Sequence, residues 1–208
     1  MAVLVASVIV FVYSLGLMTD MFNGIYQTYR NGPRSGLHFE GTEIYLEMQP
    51  FNKALTLISI GLILVSLFNF VMGTGSRRKY YIGNYVSIAL TTICNVGATV
   101  WSMMQILQFR HDYLTRIHWP EFRPEMGTEG EWAILNPETN TWEASRLKEM
   151  IESRGGTFTD STFWFDVSYF VFGILMLFTV LLIVNMILKI IVMNGEKRLI
   201  GSRKDVRA

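Results

Sequence analysis

The residues best suited to chemistry gather in one stretch, Arg110-His-Asp-Tyr-Leu-Thr-Arg-Ile-His118. At helical spacing this stretch sets His111, Thr115 and His118 on one face, with Asp112, Glu121 and Glu125 close by in sequence and His38 in a separate segment. Imidazole and carboxylate together ligate divalent metals, so His111, His118 and Asp112 are the candidate metal set. The geometry argues against a shared ion. Positions i and i+7 stand about 10 Å apart along a helix axis, and the His-x-x-x-His spacing of a helical zinc site is missing. The reading preferred for these side chains is interfacial packing, and no cofactor is expected.

Other catalytic signatures are missing as well. The chain has no Gly-x-Ser-x-Gly, no Cys-x-x-Cys and no His-Glu-x-x-His. Gly73-Thr-Gly-Ser-Arg-Arg-Lys79 is glycine-rich and basic but lacks the spacing of a phosphate-binding loop. Its expected role is contact with anionic headgroups through Arg77, Arg78 and Lys79, and Lys197 and Arg198 in the basic tail read the same way. Nucleic acid is not an expected partner.

The elements that must position these residues follow from composition. Half of the 208 residues are hydrophobic and only 17% are charged, against about 25% in ordinary soluble domains. That excludes intrinsic disorder, and the lone Cys94 excludes a disulfide scaffold. The apolar residues run in four continuous stretches, about 2–22, 52–72, 85–109 and 163–193. Each approaches or exceeds the roughly 20 residues needed to cross about 30 Å of hydrocarbon as a helix. The expected fold is an all-α, polytopic four-helix membrane bundle forming one domain over residues 1–208. The first stretch has no basic residue before its apolar core and no small-residue cleavage pattern after it, so it reads as a retained helix rather than a signal peptide.

Charge resolves into an orientation. The connection 73–84 and the tail from 194, with Lys189, hold nine basic and two acidic residues, while the remaining segments hold nine basic and fifteen acidic. The balance of +7 on one side and −6 on the other places both termini in the cytoplasm. Tyr80, Tyr81 and Tyr85 mark the inner boundary, and Trp119, Trp164 and Tyr169 the outer one. Loops 30–50 and 110–162 are then external, lack cysteine and carry no glycosylation sequon. An exported region without glycans or disulfides points to a prokaryotic plasma membrane, with an organellar membrane second.

The two loops are too short for separate domains and are expected to pack as one small mixed α/β cap. The alternation Ile44, Leu46, Met48 predicts a short strand. Residues Glu131–Asn136 and Thr141–Trp142 predict two strands joined by a turn at Pro137–Asn140, with Trp132 and Trp142 in the cap core. A helix is expected from Glu143 to Arg154, and Asp160 or Ser161 caps the fourth span.

Within the spans, Ser87, Thr91, Asn95 and Ser102 recur at helical spacing, a small polar stripe suited to close helix packing. Asp20, Lys53, Arg110 and Asp166 form a ring of charge at the outer ends of the four spans, where opposite charges pair or each reaches solvent. No ionisable residue lies in the central part of a span, which weakens the case for a proton- or ion-coupled transporter.

The layout is similar in outline to tetraspan families such as tetraspanins and claudins. The Cys-Cys-Gly and Gly-Leu-Trp-Cys-Cys motifs of those families are missing, so the resemblance implies topology and no function. The function expected is that of a non-catalytic structural or accessory subunit of a larger membrane complex, with the acidic cap as its contact surface. Its partners would be the bilayer and other membrane subunits or a second copy of itself. The alternatives are a small transporter, permease component or channel, and a membrane-embedded metal-dependent enzyme.

Overall fold

The structure, a computed structural model, describes residues 1–31, 40–75, 82–118, 121–123, 125, 132–136, 138–146, 149–150, 153 and 162–205. Among these residues four helical stretches are long and apolar enough to cross a membrane: Ala2–Arg30, Ile44–Gly73, Asn84–Arg116 and Phe163–Val192.

Helix α1 (Ala2–Gly16) buries Val3, Ala6, Ser7, Val10, Tyr13 and Ser14 on one face and exposes Val5, Val8 and Val12 on the other. A helix apolar on both faces belongs in a non-aqueous surround. It passes into a π-helical segment (Leu17–Phe22) and then α2 (Asn23–Asn31). The wider π turn inserts an extra residue, so the buried face shifts to Met21, Phe22, Ile25 and Thr28.

Helix α3 (Ile44–Gly75) begins earlier than the apolar run alone implies. The strand expected around Ile44, Leu46 and Met48 is not formed; these residues make the first turns of α3. The reason is periodicity over a longer window. Ile44, Met48, Phe51, Leu55, Ser59, Leu62 and Ser66 are all buried at three- or four-residue spacing, while Leu46 is 52% exposed. Entry is through tight turns in which Ile44 and Tyr45 N–H groups donate to the carbonyls of Gly41 and Thr42. Gly41 has φ of +85°, and a Cβ there would strike the Arg116 carbonyl, so only glycine fits this close approach.

Helix α4 (Ile82–Arg116) continues the third apolar run at both ends. Trp119 and Pro120 lie outside the described residues. Helix α5 (Phe163–Asp205) carries the fourth apolar run on into the basic segment, so residues 194–205 are helical rather than a separate tail. Asp160 and Ser161 are not described; Thr162 precedes α5, and its carbonyl accepts the Asp166 N–H at 2.9 Å.

Strands β1 (Glu121–Phe122), β2 (Trp132–Asn136) and β3 (Thr141–Ala144) form a three-stranded antiparallel sheet in sequence order. Ala133 pairs with Ala144 and Asn136 with Thr141. The turn closes through Asn140, at φ 52°, whose N–H donates to the Asn136 carbonyl. Glu143 belongs to β3 rather than to the helix expected from that point. Among the described residues, helical hydrogen bonds run from the Met150 N–H to the Arg146 carbonyl and from the Ser153 N–H to the Glu149 carbonyl. The pairing of Ile134 with Glu143 holds the chain extended.

The chain divides into two compact units. One comprises Met1–Phe11, Ile58–Trp101 and Phe170–Ala208; the other comprises Val12–Leu57 and Ser102–Tyr169 and contains the sheet.

Candidate functional site

In the first unit the polar groups of α4 face its helical neighbours. Ser87, Thr91 and Asn95 are buried, as is Ser102 further along α4. Asn95 Nδ2 donates to Thr179 Oγ1 at 2.8 Å, and Ser87 Oγ donates to Asn69 Oδ1 at 3.0 Å. Ser7 and Ser66 hydroxyls meet at 2.9 Å. In addition, Asn95 Oδ1, Thr92 Oγ1, Thr99 Oγ1 and Ser102 Oγ are buried without a hydrogen-bond partner among the described residues. A cavity of about 460 Å³ in this unit is lined by Ser66, Asn69, Asn84, Asn185 and Lys189 among apolar side chains.

The second unit holds Asp20, Lys53, Arg110 and Asp166. Arg110 Nε lies 3.5 Å from Asp166 Oδ1, and Asp166 Oδ2 also accepts from Thr162 Oγ1 at 2.7 Å. Asp20 accepts a 2.6 Å hydrogen bond from Trp164 Nε1. The Trp164 carbonyl in turn accepts from Tyr13 Oη at 2.9 Å, and its ring covers Gly16. Lys53 stands exposed at the rim of a cleft. Beyond this layer Arg116 makes a two-pronged contact with Glu47, at 2.7 and 2.9 Å. Phe51 packs on Phe109, and Tyr113 on Phe165, each at 5.3 Å between ring centroids. These contacts join all four apolar stretches.

The candidate metal set is not drawn together. His111 and His118 are exposed, Asp112 is half-buried, and His118 Nδ1 lies 3.9 Å from Glu40 Oε2. Among the described residues no group of three or more His, Cys, Asp or Glu side chains is placed to hold a metal ion. His38 and the headgroup-contact candidates Arg77, Arg78 and Lys79 lie outside the described residues, and Lys197 and Arg198 lie on α5. Trp142 is half-buried on β3 with the Arg123 guanidinium 3.8 Å above its ring centre.

Sequence reasoning did not find the cleft. It occupies about 680 Å³ between the π segment with α2 and the start of α3, and its lining includes Phe22, Tyr26, Tyr45, Gln49, Asn52 and Lys53. The Tyr26 and Tyr45 rings lie 4.9 Å apart, and Gln49 Nε2 donates to Tyr45 Oη. Asn52 is only 6% exposed, yet its Oδ1 has no hydrogen-bond partner among the described residues. The one sequence signal was Asn52 beside Lys53 at the edge of an apolar run, and edge amides are common enough to carry little information.

The chain matches no family model, and no curated protein and no solved structure shows significant similarity to it.

Proposed function

We propose that this chain is an integral-membrane structural or accessory subunit of a larger complex. Its four apolar helices cross a prokaryotic plasma membrane, both ends lie in the cytoplasm, and the segments 30–50 and 110–162, helix ends included, form a small acidic cap that meets partner subunits. Arg77, Arg78, Lys79, Lys197 and Arg198 contact anionic headgroups on the inner side.

The observation that carries this reading is the set of cross-helix contacts in the second unit. Asp20 with Trp164, Arg110 with Asp166 and Arg116 with Glu47 tie together helix ends distant in sequence. Ties of that kind favour a fixed platform over a moving gate. Large apolar side chains exposed on every span, among them Val12, Leu64, Ile93 and Phe170, require lipid or partner helices to cover them.

Native mass measurement after mild detergent extraction from the source membrane tests the proposal. The expected result is an assembly heavier than the 23.9 kDa chain and containing a second polypeptide or further copies. A single 23.9 kDa chain that passes solute or current in liposomes would overturn it.

A further inference from the structure

We infer that the cleft between the π segment and α3 is a binding site for an outer-leaflet phospholipid whose headgroup carries hydrogen-bond donors, with phosphatidylethanolamine as the type. The inference rests on the membrane placement proposed above. The deciding group is Asn52. Asn52 lines the cleft, and its side-chain oxygen is buried with no hydrogen-bond partner among the described residues. An amide oxygen withdrawn from water in this way calls for a donor from whatever fills the space.

The neighbouring groups specify what carries that donor. Lys53 places a cation at the rim, and Phe22, Tyr26 and Tyr45 supply apolar and aromatic wall. Lys53 and Gly73 are 20 residues apart on α3, about 30 Å along the axis, so Lys53 sits at one hydrocarbon boundary when Gly73 sits at the other. A ligand at that level presents phosphate to Lys53 and its terminal ammonium to Asn52 Oδ1, where the tyrosine rings offer a cation a favourable face. The volume falls within the roughly 300–1,000 Å³ typical of small-molecule sites. The adjoining π segment is a helix irregularity often found beside functional sites. A choline headgroup, with no N–H, leaves Asn52 unpartnered.

The test uses the purified full chain in detergent, with lipid retention read by native mass spectrometry. Phosphatidylethanolamine and phosphatidylcholine of identical acyl chains are compared. The expected result is about tenfold stronger retention of the ethanolamine lipid, equivalent to about 1.4 kcal/mol. Asn52→Leu should erase this preference, Asn52→Asp should keep it by restoring an acceptor, and Lys53→Gln should weaken both lipids. Monodispersity and helical content establish that each variant is folded. Equal retention of the two lipids by the unaltered chain overturns the site. Glycerophosphoethanolamine competing as well as the full lipid overturns the lipid assignment in favour of a soluble phosphoester. Both readouts use the isolated chain, so they are independent of whether partner subunits are found. Failure to sediment with carbonate-washed membranes would mark failure of the membrane placement instead.

Discussion

The Trp164 indole N–H donates to the Asp20 carboxylate across 144 positions of sequence, and the same ring leaves no room for a side chain at Gly16. One residue near the start of α5 thereby fixes two sites on the first helical stretch. Trp164→Phe keeps most of the ring and loses the donor to a charged group, so it should cost about 1.5–3 kcal/mol. Gly16→Val should cost a further about 1–3 kcal/mol by overpacking. Thermal unfolding in detergent measures both, and a Gly16→Val protein as stable as the parent would show that the indole is not held there.

The Arg110 and Asp166 side chains are 36% and 51% exposed, so screening limits the worth of the pair. A double-mutant cycle with Arg110→Gln and Asp166→Asn should give a coupling of about 0.2–1 kcal/mol. Exchanging the two charges should preserve assembly better than either single change. Equal behaviour of all three variants would remove the pairing.

Asn95 to Thr179 joins α4 to α5 inside the apolar surround. Thr179→Val deletes the acceptor and keeps the shape. The expected loss is about 0.6 kcal/mol, and up to about 1.7, the range measured for hydrogen bonds between membrane helices. A steric-trap or detergent unfolding assay reads it directly.

Gly41 combines a positive φ with contact against the Arg116 carbonyl. Gly41→Ala meets both obstacles, a backbone penalty of about 1–2 kcal/mol and a clash with main chain that has no rotamer to escape into. The turn entering α3 should become the first site of limited proteolysis, whereas Gly61→Ala, with open space around it, should leave the digestion pattern unchanged.

Orientation is accessible to labelling because Cys94 is the only cysteine. In a Cys94→Ala background, Ser153→Cys should react with an impermeant maleimide in intact cells. Ser202→Cys should react only after permeabilisation. The opposite pattern would reverse the sidedness deduced from charge.

The spans were legible because each is a long, unbroken apolar run, a signal that needs no knowledge of neighbours. Ser87, Thr91, Asn95 and Ser102 share a buried face because a regular helix returns every third or fourth residue to one side. Residues 44–50 misled because three alternating apolar residues fit a strand and a helix equally well in a short window. Only burial continuing to Ser66 separates the two. Glu143 misled because strand pairing with Ile134 overrode local helical preference. The bond between Trp164 and Asp20 and the cleft at Asn52 depend on residues far apart in sequence, and a π turn has no composition of its own. Nothing local encodes them.

Helix α5 runs 43 residues without a proline, about 65 Å, roughly twice the thickness of the hydrocarbon layer. A single continuous hydrogen-bonded rod therefore carries both Asp166, paired with Arg110, and the basic stretch from Lys197 to Lys204. Its length alone requires that roughly half of it lie outside any single hydrocarbon layer it crosses.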